Sequence, residues 1–585
     1  MESAEFARYA LLAVVGVVTI VAVAVFSKRL GVAAPLILVV VGIAASFLPG
    51  LESFTVPPEV VLVGLLPPLL YSAAINVPIV DFRRNLNTIS ALSVLLVIAT
   101  AFVTGALLFV IFPELNFGAA VALGAVISPT DAVAATSLGK RLGLPPRLVT
   151  ILEGESLVND ATALVLLRSA IAAAATAVSF WGVVGDFASS VAIAIVVGLA
   201  IGFVTVFLRS KLHDPVLDTA ISFVTPFIAF IPAEELHASG VLAVVVAGLY
   251  AGHNSAKRFG PQARISERLN WRTVQFMLEN GVFLLMGLQI NGIVRAVKPR
   301  VFPLESAFLV GLLMTVVIIV VRFLFVGPLL VWLRRHNEQR ARSNLRFGEA
   351  IDRIRRMTIQ SERLQRRRER AERIYTRRST DLTSLREEGF GWRGGLILSW
   401  SGMRGVVTLA AAQSLPETFP YREQLILIAF TVAIATLLLQ GGTLPWVIAA
   451  TGIRGTDRVA DRRELASLVE EMSSAGLQAL DNPSIVLPGS EPFDPEVVER
   501  VRNDTRLTTE AAWERAENGN GADALAHSPH QQYRALRREV LQAERNALLD
   551  ARAQGTYASR ILDRAQTMLD LEETRIEQLD NPSGS

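Results

Sequence analysis

Runs of about 18–25 apolar residues recur from the N-terminus to about residue 450, each long enough to cross the roughly 30 Å hydrocarbon core of a bilayer. Few folds remain open to such a chain. No water reaches backbone N–H and C=O groups inside that core, so spanning segments of this length must be helices. Their recurrence rules out a cleaved leader as the explanation. The 585 residues are 51% hydrophobic, with a mean hydropathy of +0.43, which is too apolar for a soluble protein of this size.

The sequence predicts an all-α polytopic membrane protein of about thirteen helices. They span 7–27, 31–49, 57–77, 86–112, 116–139, 147–177, 181–209, 215–233, 237–253, 272–291, 303–333, 392–415 and 423–450. With the N-terminus outside, the inside loops collect Lys28, Arg29, Arg83, Arg84, Lys140, Arg141, Arg147, Arg209, Lys211, Lys257, Arg258, Arg264 and Arg268. The outside loops carry Glu52, Glu59, Glu114, Glu234 and Glu235, with Arg295, Lys298 and Arg300 as the exception. This asymmetry places the C-terminus in the cytoplasm, which needs an odd helix count.

The chain divides into a transmembrane domain, 1–452, and a cytoplasmic tail, 453–585, expected to be regulatory. A basic cytoplasmic loop, 334–391, interrupts the first. Residues 334–388 hold 17 Lys/Arg against 9 Asp/Glu, a net +8, and residues 453–585 hold 16 against 24, a net −8. These opposite charges raise the idea of tail-to-loop regulation. The loop reads as a solvated segment near anionic lipid. Nucleic-acid binding is not expected, because its Arg residues are diluted with Glu and lack interleaved aromatics. In the tail, 456–480 and 530–579 read as soluble helices, separated by a Pro/Gly/Asn-rich linker.

Several function classes fall away. There is no cysteine, so disulfides, thiol catalysis and Cys-type zinc sites are excluded, and six histidines make a multi-His metal site unexpected. No Walker-type phosphate loop occurs, which argues against a primary pump, and the tail has no catalytic signature. No enzyme activity and no cofactor is expected.

Ionisable groups at membrane depth cost roughly 2.5–3.5 kcal/mol each when unpaired, and so point to function. "LEGESLVNDA" (152–161) sits between apolar runs and carries Glu153, Glu155 and Asp160. Glu155 and Asn159 are four apart on one helical face, and Ser156 and Asp160 four apart on the adjoining one. Carboxylates and neutral oxygens together suit a hard monovalent cation. The alternative is a structural network satisfied by Arg. "ISPTDAVAA" places Pro129 mid-span, where it breaks a helix and frees carbonyls such as that of Thr130 beside Asp131. In "SWSGMRGVV", Arg404 lies between two glycines and keeps its charge, so it needs a carboxylate. Glu155 is the expected partner, which leaves Asp160 free; Glu153 is a second choice. Arg168 reads as a snorkelling or pairing residue. Glu234 and Glu235 read equally as solvated loop or ion funnel.

Six pieces in order, "LLPPLL" (65–70), "SPTDAVA" (128–134), "GESLVNDA" (154–161), "LHASGVLAVVVAGL" (236–249), "GVFLLMGL" (281–288) and "GMRGVVTLA" (402–410), resemble the monovalent cation:proton antiporter-1 family, the sodium/proton exchangers of bacterial type. The resemblance covers nearly all of 8–450. It implies two inverted repeats with crossing broken helices five and twelve, and a core of helices four to six and eleven to thirteen that moves against a dimer-forming domain. It also implies a homodimer, and the Ala/Arg-rich composition with a tail like those of bacterial members points to a bacterial inner membrane. The ion ligands it implies are Asp160, Asp131, Ser156 and the Thr130 carbonyl. Asn159 would be the neutral member of an Asn-Asp pair, and Glu155 and Arg404 a buried pair that steadies it. Where several members carry an acid on helix three, this chain has Ser72.

The expected activity is exchange of Na+ (or Li+) for H+ across the membrane, with K+/H+ exchange on the same fold as the alternative and a cation channel as a weaker one. Asp160 would bind either ion on the same oxygens. A bare carboxylate pays its desolvation cost at an apolar gate and a neutralised one pays less, so only an occupied site crosses. Because Asn159 adds no charge, one-for-one exchange is electroneutral.

Overall fold

Prolines and small polar residues start the helices, and glycines end several of them. Asn116 accepts the Ala119 N–H at 2.7 Å, Asp214 that of Val216 at 2.8 Å and Ser239 that of Leu242 at 3.3 Å, each satisfying an otherwise orphaned donor. Gly143 and Gly452 close helices at φ 72° and 62°, a conformation glycine adopts without steric cost.

The structure, a computed structural model, describes residues 2–49, 51, 54–112, 114–175, 180–212, 214–297, 303–355, 391–453, 458–480 and 494–517, with isolated positions at 365–379 and 536–572. All regular elements among them are helical. In the first unit, Met1–Gly455, those of eight or more residues are α1 (Glu2–Leu30), α2 (Ala34–Ala45), α3 (Val60–Asn76), α4 (Leu86–Ile111), α5a (Phe117–Ile127), α5b (Val133–Leu142), α6 (Pro146–Ala175) and α7 (Phe180–Arg209). They continue with α8 (Pro215–Glu235), α9 (Gly240–Arg258), α10 (Pro261–Leu288), α11 (Leu304–Arg355), α12a (Trp392–Trp400), α12b (Val406–Gln413) and α13 (Arg422–Thr451). Eight described helical segments are long and apolar enough to cross a membrane, and four shorter apolar helices accompany them.

Two packing groups are visible. α3, α7, α8 and α9 pack chiefly on one another and on α10, which also carries α2. α4, α5, α6, α11, α12 and α13 form the second group. From this group α6 reaches across to α3, α7 and α9, and α12b to α3 and α10.

Three expectations are corrected. Residues 334–355 are not loop but the continuation of α11, since Arg, Glu, Gln and Ala are good helix formers and nothing there breaks the helix. The expected linker contains a helix, Pro495–Glu517, started by Asp494, which accepts the Glu496 N–H at 2.9 Å. Arg209 is not a solvated inside-loop charge. It is buried, doubly bonded to Asp218 at 2.9 Å and paired with Glu267 at 2.8 Å. Most of the expected 530–579 helix and residues 356–390 lie outside the described residues.

The second unit, Thr456–Ser585, is built on Arg458–Leu480 packed against Pro495–Glu517. Trp513 donates to Glu470 at 3.0 Å across that pair, and the Thr509 hydroxyl to Ser473 at 2.7 Å.

Small residues let helices in the first unit approach closely, as membrane helices do without a hydrophobic drive between them. At the crossing of α2 and α10, a Cβ on Gly42 would lie 2.6 Å from the Leu284 carbonyl oxygen, and one on Gly287 would strike the Val39 carbonyl. Gly287→Ala should therefore lower stability by about 1–3 kcal/mol, the usual cost of overpacking. Gly281→Ala on the same helix meets only Ile20 Cδ1 at 3.8 Å and should be neutral or stabilising. Thermal unfolding in detergent compares the two; equal midpoints would refute the close crossing.

Candidate ion-binding site

Helix five stops at Ile127 and resumes at Val133; helix twelve stops at Trp400 and resumes at Val406. The two breaks touch. The Asp131 N–H donates to the Met403 carbonyl at 2.7 Å, joining them by one backbone bond. Asp131 then caps α5b, its Oδ1 accepting the Val133 N–H at 2.8 Å. Gly405 fits because it lacks a side chain: a Cβ there would lie 2.7 Å from Asp131 Cβ.

Four unpaired half-helix ends meet here, and their partial charges order the ionised groups. The Arg404 guanidinium donates to the carbonyls of Ile127 (3.1 Å), Ser128 (3.5 Å) and Gly402, at or just past the C-terminal ends of α5a and α12a. Those ends are negative and hold a cation. Asp131 sits at the positive N-terminal end of α5b.

α6 crosses beside these breaks. The Ser156 hydroxyl accepts the Ala132 N–H at 3.3 Å. The Asn159 amide donates to the Thr130 carbonyl (3.0 Å) and hydroxyl (2.8 Å), and the Thr130 hydroxyl donates to Glu155 at 2.9 Å. A carbonyl only accepts, so Asn159 Nδ2 must face it and Oδ1 must point away. That oxygen is buried and has no hydrogen-bond partner.

Glu155 pairs with Arg322, not with Arg404 as the sequence suggested. Arg322 Nη1 and Nη2 bind the two carboxylate oxygens at 2.5 and 2.8 Å, and its Nε donates to the Leu398 carbonyl at 3.0 Å. Both side chains are 2% exposed. The expectation failed because Arg404 can be satisfied by carbonyls at helix ends, whereas Arg322, in the middle of regular α11, has a bidentate fork free for a carboxylate. A lone Arg inside the apolar run of 303–333 was a usable signal that no proline or glycine marked.

Glu153 pairs with Lys140 at 2.7 Å, tying α6 to α5b. Arg168 pairs with Glu234, so neither is simply snorkelling or solvated. Ser72 is buried and spends its hydroxyl on the Leu69 carbonyl at 2.7 Å, within its own helix. Glu279 on α10, which sequence reading passed over, accepts from Gln275 at 2.7 Å and lies within electrostatic range of Asp131, Lys140 and Glu153.

Asp160 differs from every other acid at the crossing. It is buried, 7% exposed, and has no hydrogen-bonding or ion-pairing partner among the described residues. Ser156 lies one turn back on its face, and Asp131 is within electrostatic range. No cluster of three acidic or histidine side chains forms among the described residues. A buried free carboxylate, a hydroxyl and an orphaned amide oxygen are the oxygen donors a weakly held monovalent cation takes.

The model of the sodium/hydrogen exchanger transmembrane family matches residues 15–450, the whole region that carries these helices. The chain belongs to that family. An uncharacterized Na(+)/H(+) exchanger of Mycobacterium tuberculosis is 30% identical over 577 residues, 97% of this exchanger and 96% of that protein. The Na(+)/H(+) antiporter ApNhaP of Aphanothece halophytica is 28% identical over 75% of this chain and 73% of its own. The sodium proton antiporter MjNhaP1 from Methanocaldococcus jannaschii shares the fold at a TM-score of 0.54 and 16% identity, over 77% of this chain and 100% of that one.

The exchanger's Glu155–Arg322 pair predicts strong coupling. Removing one partner leaves a buried charge and should cost about 3–5 kcal/mol, while replacing both costs much less than the sum. Thermal unfolding of Glu155→Gln, Arg322→Met and the double variant measures this; additive losses would remove the pairing.

Proposed function

We propose that this exchanger swaps one Na+ for one H+, with Asp160 as the group that binds each in turn and with Asp131, Ser156, Thr130 and Asn159 completing the site. The observation that carries this is the isolation of Asp160: among the described residues Glu155 and Asp131 each have a hydrogen-bonding partner, and Asp160 has none. Proton and cation compete for the same oxygens, so their movements are coupled. A single proton or a single Na+ adds the same one positive charge to Asp160, and Asn159 adds none, so both legs of the cycle carry equal charge, which supports an electroneutral cycle.

We place the exchanger in a bacterial inner membrane as a homodimer, with its N-terminus outside; the basic inside loops support this orientation. It acts as a transporter with no cofactor. The net +8 of 334–388 and net −8 of 453–585 support a tail that regulates by docking on the loop.

Asp160→Asn should abolish Na+-driven proton flux in proteoliposomes while leaving a folded, monodisperse protein. Flux near the unsubstituted level would sink the assignment. At fixed ion gradients the unsubstituted exchanger should run at a rate independent of imposed membrane potential, followed with a pH dye while valinomycin and K+ set the voltage. A steady change of rate with voltage would rule out one-for-one exchange.

A further inference from the structure

If Asp160 serves water on one side and then the other, α6 must change its relation to the helices it touches. An ion pair stands at that seam. Arg168, eight residues beyond Asp160 on α6, donates from Nη2 to Oε2 of Glu234 at the end of α8. α6 packs in one group of helices and α8 in the other.

The two partners are not equally free. Glu234 is fixed from below: its Oε1 accepts the Gly240 N–H at 2.9 Å, capping the start of α9. The intervening corner is tight, with His237 at φ 56° and the Ala238 N–H bonded to the Ala233 carbonyl at 2.9 Å. Arg168 is a long side chain within α6, 55% exposed against 25% for Glu234. A pre-set carboxylate thus waits at a rigid corner for a flexible cation carried by the site helix.

We propose that Arg168–Glu234 is a latch of the transport cycle, closing the end of the site remote from Glu153 in this conformation and parting when α6 turns Asp160 toward that end. This rests on the exchange reading of Asp160. The strength of the pair suits a latch, since an exposed pair biases a two-state equilibrium by no more than about fivefold. That favours one state yet lets each cycle break it. The Lys140–Glu153 pair, toward the other end of α6, joins two helices of the same group and need not part.

The chain has no cysteine, so Arg168→Cys with Glu234→Cys creates the only thiol pair. The full-length double variant, in proteoliposomes, is bridged with a bifunctional methanethiosulfonate of a length matching an Arg–Glu pair. The latch predicts exchange before bridging, a fall to below a tenth of that rate after it, and recovery on adding reductant. Continued exchange by the bridged protein overturns the latch and leaves the Asp160 reading intact. Failure of the folded variant to form the bridge overturns the contact itself. A folded, unbridged variant that does not exchange also overturns it, because a latch is dispensable to ion binding. The Asp160 reading is tested separately, by flux in Asp160→Asn.

Discussion

The bidentate bond between Glu155 and Arg322 is what the rest of the site stands on. Each group alone would be an unpaired charge at membrane depth. Together they also fix three separate pieces of chain. Arg322 holds the Leu398 carbonyl of α12a, Glu155 takes the Thr130 hydroxyl in the break of α5, and Thr130 in turn receives the Asn159 amide. Irregular backbone survives in a membrane only where protein satisfies it. Here the ion pair, Arg404 and Asn159 satisfy part of the backbone of Ser128–Ala132 and Ser401–Gly405, which helps those segments stay unwound.

With those groups spoken for, the chemistry left over is narrow. Asn159 keeps its nitrogen on Thr130 and presents an oxygen without a partner. An aspartate there would add a second exchangeable charge and could not donate to the Thr130 carbonyl while ionised. The neutral side chain thus braces the break and adds no further carboxylate beside Asp160, which has no hydrogen-bonding or ion-pairing partner among the described residues. On the proposed reading, a proton leaves Asp160 when a cation takes its oxygens.

Much of this was legible in the sequence, and what was not has a common cause. Apolar run length located the helices, and Pro129 and the glycines around Arg404 located both breaks, because each is a local property of a few adjacent residues. The "SPTDA" and "ESLVND" segments point to the candidate site for the same reason. Pairings were not legible. Arg404 was matched to Glu155 on need alone, yet its need is met by the carbonyls of Ile127 and Ser128, which any sequence has at a helix end. Arg322 and Glu279 stood in regular helices with no marker residue beside them. Arg209 lies at a helix end, where a basic residue ordinarily faces water, and only the arrival of Asp218 and Glu267 from α8 and α10 buries it. The helix beyond Leu333 was hidden by its Arg content, which reads as loop when charge is weighed and as helix when propensity is.

Burial sorts the ion pairs by what they are able to do. Arg209 is fully buried against Asp218 and Glu267 within one packing group, with Phe259 stacked at 4.1 Å, and Arg322–Glu155 is as buried within the other. Removing Arg209, or either partner of Arg322–Glu155, leaves an uncompensated buried charge that costs about 3–5 kcal/mol, so parting either set is far costlier than parting an exposed pair. Arg168–Glu234, between the groups, is exposed and worth about 0–1 kcal/mol. Strong pairs inside the bodies and a weak pair across the seam are what a molecule needs if one body is to shift against the other while the geometry around Asp160 stays unchanged.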